Sequence, residues 1–205
     1  MTAQLVIRSA DAHDLRDLAQ LMLASGHGVV ELLYEGLFPD HDLIDILIER
    51  RLRNPASFAH LSNWRVACLG AGPVEGAVCA LPFAVYERLT GDPLITPERL
   101  APIQELIDLD AGLAGTFCLT NIAVWPSGRG KGIGQALLAD TAIRARAAGF
   151  DRIGLSTFGD DPAVMGFYRR AGFRLIGTAP LRPHPRIDAQ GHWAILDWTF
   201  NTPTV

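Results

Sequence analysis

VWPSGRGKGIGQALL, residues 124–138, sets three glycines at alternate positions, Gly130, Gly132 and Gly134, between a hydrophobic run and a helical pattern. The run before it, FCLTNIAV, reads as a strand, and Gly134, Leu137, Leu138, Thr141, Ala145 and Ala148 share one face of the helix after it. The glycines therefore sit at a helix N-terminus. Several N–H groups there lack intrahelical partners and the macrodipole is positive, so main chain can hold an anionic phosphate wherever no side chain blocks its approach. Arg129 and Lys131 add positive charge beside those groups, as a pyrophosphate requires. A glycine-rich turn without a ligand is the plain alternative, but glycine is entropically costly in helices and three at this spacing return nothing structural.

Spacing narrows the ligand. A dinucleotide fingerprint needs glycine at position 135, where Gln135 stands, and a nucleoside triphosphate loop needs Lys followed by Ser or Thr after its last glycine. That argues against a dinucleotide-dependent oxidoreductase. GAGPVEG at 70–76 is followed by strand residues instead of a helix and reads as a turn.

Working outward, LVIRSA is a strand, and Asp11 caps a helix that carries Leu15, Leu18 and Met22 at helical spacing. VVELLYEGLF and DLIDILIERRL are expected as two further helices. WRVACLG and VEGAVCALPFAVYE form a hairpin around AGP, with Pro82 bending or bulging its second strand. Residues 87–114 are an ordered helical insert, in which Thr96 is the N-cap and Pro97 the first helical residue. From Thr116 the order is strand to Val124, helix from about Gly132 to Ala148, strand over 152–157, helix over 162–171, strand over 173–178, and a last strand in HWAILDWTF. The expected architecture is α/β (α+β): one domain over residues 1–205, with a mixed, mostly antiparallel sheet of six or seven strands flanked by helices.

Composition limits the function classes. A net charge of −4 with scattered basic residues leaves no footprint for nucleic acid. Cys68, Cys79 and Cys118 are far apart in apolar runs, so they read as core residues in a reducing compartment, with neither a disulfide framework nor a metal site. The start shows no leader pattern, and the longest apolar run, 77–86, is half the ~20 residues a membrane span needs. A cytoplasmic protein that binds no membrane is the expectation.

RGKGIG after IAVWP, with Arg129, Gly132 and Gly134 filling an R/Q-x-x-G-x-G/A pattern, resembles the acetyl-coenzyme A loop of the GNAT superfamily of N-acetyltransferases. DDPAVMGFYRRAGFRLIG is similar to the family's following helix and strand, and IRSADAHDLRDLAQLM to its first strand and helix. The strong similarity spans 116–178. Asp161 stands where the family usually has Asn, and Val164 where it usually has Ala. The resemblance implies acetyl-coenzyme A as co-substrate and no metal. It places pantetheine along Ile122, Ala123 and Val124, and the pyrophosphate on the N–H groups of Arg129, Gly130, Lys131, Gly132, Ile133 and Gly134, with a cofactor contact at Asp161.

It also implies that Tyr168 protonates the leaving thiolate, a task that suits a phenol with a pKa near ~10. Its helical spacing with Val164, Phe167 and Ala171 is equally that of a core residue. Asp161 before Pro162 is an N-cap in its own right. FCLTNIAV carries no carboxylate where many family members place their base, which leaves Glu31, Glu35, His27, His184 and His192, or a water held by Asn121. Glu31 and Glu35 lie among Leu32, Leu33, Tyr34, Leu37 and Phe38, a pattern that suits an ammonium on a hydrophobic body as well as it suits an ordinary amphipathic helix. The expected acceptor is an amine-bearing small molecule or peptide. A non-catalytic acyl-coenzyme A-binding module is the alternative that the missing base allows. The insert either covers the acceptor's entrance or forms a homodimer contact.

Overall fold

The computed structural model describes residues 4–88 and 92–200. Seven strands form one sheet: β1 (Leu5–Ser9), β2 (Trp64–Leu69), β3 (Val74–Pro82), β4 (Phe117–Val124), β5 (Arg152–Phe158), β6 (Arg174–Pro180) and β7 (His192–Thr199), in the order β1-β2-β3-β4-β5-β7-β6. Every neighbouring pair is antiparallel except β4 and β5. The helices are α1 (Leu15–Gly26), α2 (Val29–Tyr34), α3 (Leu43–Leu47), α4 (Phe83–Tyr86), α5 (Pro97–Leu100), α6 (Gln104–Asp110), α7 (Ile133–Ala147) and α8 (Pro162–Arg170). The fold is the one expected from the sequence.

Each sheet face has its own cover and core, and a third, small cluster of Phe83, Leu113, Cys118 and Ile195 lies at the start of β4. α7 and α8 bury Leu137, Leu138 and Tyr168 against Ile153, Leu155 and Leu196. α1, α2 and α3 bury Leu18, Leu21, Leu32 and Leu47 on the other face with Trp64, Phe158 and Trp193. The start of α1 is fixed by charge as well as by packing. The Asp11 side chain accepts from the His13 amide, and Asp14 accepts from the Asp11 amide while holding both outer nitrogens of Arg8 at 2.7 and 2.8 Å. That ties β1 to the helix that follows it. Cys68, Cys79 and Cys118 are free and buried, and burial pushes the Cys79 thiol up to about 12.

Three local expectations change. The helix expected over VVELLYEGLF ends at Tyr34, because Glu35 turns extended (ψ 125°) and Gly36 takes a φ of 70° that a helix cannot use. Pro82 does not bulge its strand; it is the last residue of β3, where its missing N–H costs no ladder bond, and the irregularity lies at Cys79/Ala80. Thr96 holds the N-cap position of α5 without a side-chain cap bond, so Pro97 alone carries that signal. Of the 87–114 insert, residues 89–91 lie outside the described residues. The rest docks firmly: buried Asp92 accepts from Arg50 and from the Tyr34 hydroxyl, and Arg99 donates to the carbonyls of Leu33 and Glu35. The insert thus lies on α2 and, through α6, on the sheet.

Candidate active site

Parallel pairing between β4 and β5 covers only Phe117↔Ile153 and Cys118↔Gly154. The cause sits at Thr120. Register shifts between Cys79↔Asn121 and Ala80↔Leu119, which leaves Thr120 as the extra residue of a bulge and bends β4 away. Beyond it β4 follows β3 to Gly76↔Val124, while β5 follows β7 to Phe158↔Trp193. The two inner edges therefore open as a wedge. Residues 120–124 on one side and 156–157 on the other are only half-buried, and their inner backbone groups have no strand opposite. Such a wedge has room for one extended chain.

The glycine loop stands at the wide end of that wedge and divides its glycines by task. Gly130 (φ 75°) and Gly132 (φ 79°) are in the left-handed region, and a Cβ at either would meet nothing within 4 Å. Gly132 is the N-cap of fifteen-residue α7, and no side chain caps the N–H groups behind it. Open space in front of uncapped amides at a helix N-terminus fits a pyrophosphate. Gly134 serves another purpose. Its Cβ would lie 3.0 Å from the Phe167 ring, so it lets α8 approach the first turn of α7. A fourth glycine, Gly128, is buried with Val124 and Ile133 around it. Exposed Arg129 donates to the Val124 carbonyl at 3.3 Å, and Lys131 is exposed beside it.

α8 closes one face of the wedge. Asp161 caps it, accepting from the amides of Ala163 at 2.8 Å and Val164 at 3.0 Å, so its capping role is observed directly. Tyr168 is 6% exposed and edge-on to both Phe167 and Phe173, and burial raises its phenol above the usual value. The hydroxyl stays protonated across the neutral range and makes no hydrogen bond among the described residues.

The opposite face gathers polar groups. The Asn121 amide donates to Ser25 Oγ at 3.0 Å, which fixes it over the bulge. Further along, His27 packs edge-on to Phe158, which stacks on Trp193, and His27 Nδ1 lies 3.1 Å from Asp188. Two polar atoms here, Glu31 Oε2 and Trp193 Nε1, are buried without a partner among the described residues. Glu35 is placed differently from Glu31. It is exposed and accepts from Arg186 at 2.8 and 2.9 Å, so its charge is already matched. His184 accepts from the Arg186 amide, and His192 pairs with Asp160. Neither histidine is drawn to the wedge by these contacts.

One residue escaped the sequence analysis. Asp110, the last residue of α6, is 8% exposed, with Oδ2 accepting from the Tyr86 hydroxyl at 3.2 Å and Oδ1 buried and unpartnered among the described residues. It lies beside Ser156 of β5 and Cys118 of β4, and burial pushes it up to about 6. A signal was present. Ile103, Leu106, Asp110 and Leu113 follow helical spacing, which puts an acid in the stripe of α6 that should be apolar.

Residues 103–175 match the family model described as an acetyltransferase (GNAT) domain. Over that segment the chain is similar to GNAT acetyltransferases. Solved structures share its fold at low identity. An N-acetyltransferase from Staphylococcus aureus Mu50 is 16% identical with a TM-score of 0.63, covering 94% of this chain and 99% of that one. An agmatine N-acetyltransferase in its apo form is 17% identical with a TM-score of 0.62 over 96% and 99%. The polyamine N-acetyltransferase of Drosophila melanogaster, which forms N-acetylagmatine, is 15% identical with a TM-score of 0.61 over 97% and 100%. No curated protein is detectably similar in sequence. The wedge, the loop and the start of α8 all fall within or beside the matched segment. Among the described residues no helix is long and apolar enough to cross a membrane, and no group of three His, Cys, Asp or Glu could hold a metal.

Proposed function

We propose that this chain transfers an acetyl group from acetyl-coenzyme A to a primary amine carried on a hydrophobic body, by direct attack with both substrates bound together. The observation that carries this is the junction of the open wedge with an uncapped fifteen-residue helix N-terminus. On β4, Ile122 and Val124 turn their backbone groups to the inner edge and offer donors and acceptors to an extended pantetheine, while Ala123 between them pairs with Ala77 of β3. Gly130, Gly132, Ile133 and Gly134 offer amides to the pyrophosphate, and Arg129 and Lys131 add charge beside it. Asp161, which caps α8 through Oδ1, borders the same site at the end of β5. Acetyl-coenzyme A bound there supplies an activated acyl group on a thiolate leaving group.

The protein's own groups then divide the work. An amide of β4 past the bulge, assigned here to Val124, stabilises negative charge on the carbonyl oxygen. Tyr168 holds a proton through the neutral range and gives it up at its hydroxyl. Closure of both faces excludes water from the apex of the wedge. Glu31 supports a cationic acceptor, since a buried carboxylate oxygen without a partner favours an ammonium group over a neutral body. Glu35 contributes by tying α2 to the β6–β7 loop through Arg186. Two proteins of the same fold, named for agmatine and polyamine acetylation, act on acceptors of this chemistry. The test is a calorimetric titration with coenzyme A followed by turnover on a panel of alkyl and aryl amines. Binding without turnover on any amine would favour the non-catalytic acyl-coenzyme A module.

A further inference from the structure

We infer that Asp110, from the insert helix α6, is the proton acceptor that turns the acceptor's ammonium into an attacking amine. The assignment rests on the acetyl-transfer reading above and supplies the base that the strand before the glycine loop lacks. Its ground is position. β4 and β5 separate just after Cys118↔Gly154, and Asp110 lies beside Cys118 on one strand and Ser156 on the other, beneath the apex of the wedge on the face away from α7 and α8. One carboxylate oxygen is held by Tyr86; the other is buried without a fixed hydrogen bond among the described residues and has the Ser156 hydroxyl beside it. An under-satisfied buried acceptor with a hydroxyl in reach is poised to receive a proton.

Ser156 links this carboxylate to the wedge. It is half-buried between buried Gly154 and buried Phe158, so its hydroxyl can face both Asp110 and a bound amine. The transfer balances simply: one N–H bond of the ammonium breaks, its proton goes to Ser156 Oγ as the serine proton goes to Asp110, and the nitrogen keeps the electron pair. The result is a neutral amine and a neutral carboxylic acid, and the acid returns its proton to water when the product leaves. Burial tunes Asp110 toward the operating pH, which suits a base better than an ordinary carboxylate.

The groups facing Asp110 leave few other owners for a pH effect in this range. α4 presents Tyr86, with its phenol raised by burial; β4 presents Cys118, raised likewise; β5 presents the non-titrating Ser156; and Asp197 of β7, opposite Gly154, faces Arg152 and Arg174. The insert thus reads as part of the reaction chamber.

The test begins without any substrate. Carboxyl carbon NMR of the unliganded protein should show one aspartate titrating near pH 6, and that resonance should vanish in Asp110→Asn. With acetyl-coenzyme A and the best amine, Asp110→Asn should lower kcat at neutral pH by ~100-fold or more, leave KM for acetyl-coenzyme A unchanged, and lose the acidic limb of the wild-type profile. The deficit should shrink above pH 9, where amines deprotonate unaided. Tyr86→Phe removes a hydrogen bond that favours the charged carboxylate, so it should move the acidic limb upward. An Asp110 resonance titrating near pH 4, or a folded Asp110→Asn protein with wild-type turnover and profile, overturns the assignment. A wild-type protein with the pH 6 titration and no turnover on any amine overturns the acetyl-transfer reading itself, and the role falls with it.

Discussion

A buried carboxyl that must ionise to work should cost the fold stability at the pH where it works. In the unfolded chain Asp110 titrates near its ordinary 3.8, and in the folded protein burial pushes it up to about 6. The folded state therefore holds the proton more tightly. Its contribution is fully present below pH 3.8 and is lost as pH rises through about 6. The gap, at about 1.36 kcal/mol per pH unit, comes to about 3 kcal/mol. Asp110→Asn removes the ionisation while its amide oxygen can still accept from Tyr86 and its amide nitrogen can donate to Ser156. The variant should match the wild type in denaturant unfolding at pH 4 and exceed it at pH 8 by up to about 3 kcal/mol, or several degrees in Tm at roughly 2–4 °C per kcal/mol. A difference that is the same at both pH values, or a variant less stable at pH 8, would refute the account of Asp110 as a carboxyl held above its ordinary range.

Four further outcomes follow from the site. Gly132→Val puts a β-branched residue at φ 79° and a side chain into open space before the α7 amides, so coenzyme A affinity by calorimetry should fall at least ~10-fold while the circular dichroism spectrum stays that of a folded protein. Gly134→Ala gains helix propensity worth about 0.5–1 kcal/mol but forces a Cβ to within 3.0 Å of Phe167, and overpacking of about 1–3 kcal/mol should win; an unchanged or raised Tm counts against it. Tyr168→Phe should cut turnover ~100-fold or more with coenzyme A affinity close to wild type, and equal turnover would return Tyr168 to the core. Glu31→Gln should raise KM for a cationic amine and leave that for acetyl-coenzyme A alone, whereas Glu35→Gln, which removes a charge already matched by Arg186, should move KM for the amine less.

The segment from Thr116 to Thr178 was legible because strand alternation, glycine placement and the Asp161-Pro162 cap are local signals. The early hairpin, the first helix and the buried cysteines followed from similar cues, whereas the strand order was not legible. What escaped was set by partners distant in sequence. The wedge depends on one extra residue at Thr120, judged against a strand about forty residues earlier, and no periodicity reveals a single inserted residue. The end of α2 depends on the backbone angle that Gly36 adopts. Asp110 broke an apolar stripe in plain view, but its meaning needed Tyr86 and Ser156, which only the tertiary fold brings to it.

The two-pair junction of β4 and β5 also has a mechanical meaning. It makes the sheet two plates, one of four strands and one of three, welded along a short seam. Each plate has a long antiparallel ladder of its own, interrupted only by bulges, so shear between plates should be softer than deformation within either. A ligand lying along both inner edges would act as a rivet. Its binding should then do more than raise the melting temperature by mass action. Amide exchange at residues 119–124 should slow out of proportion to exchange in β2 or β7, and a calorimetric transition broadened by two plates loosening in turn should sharpen into one.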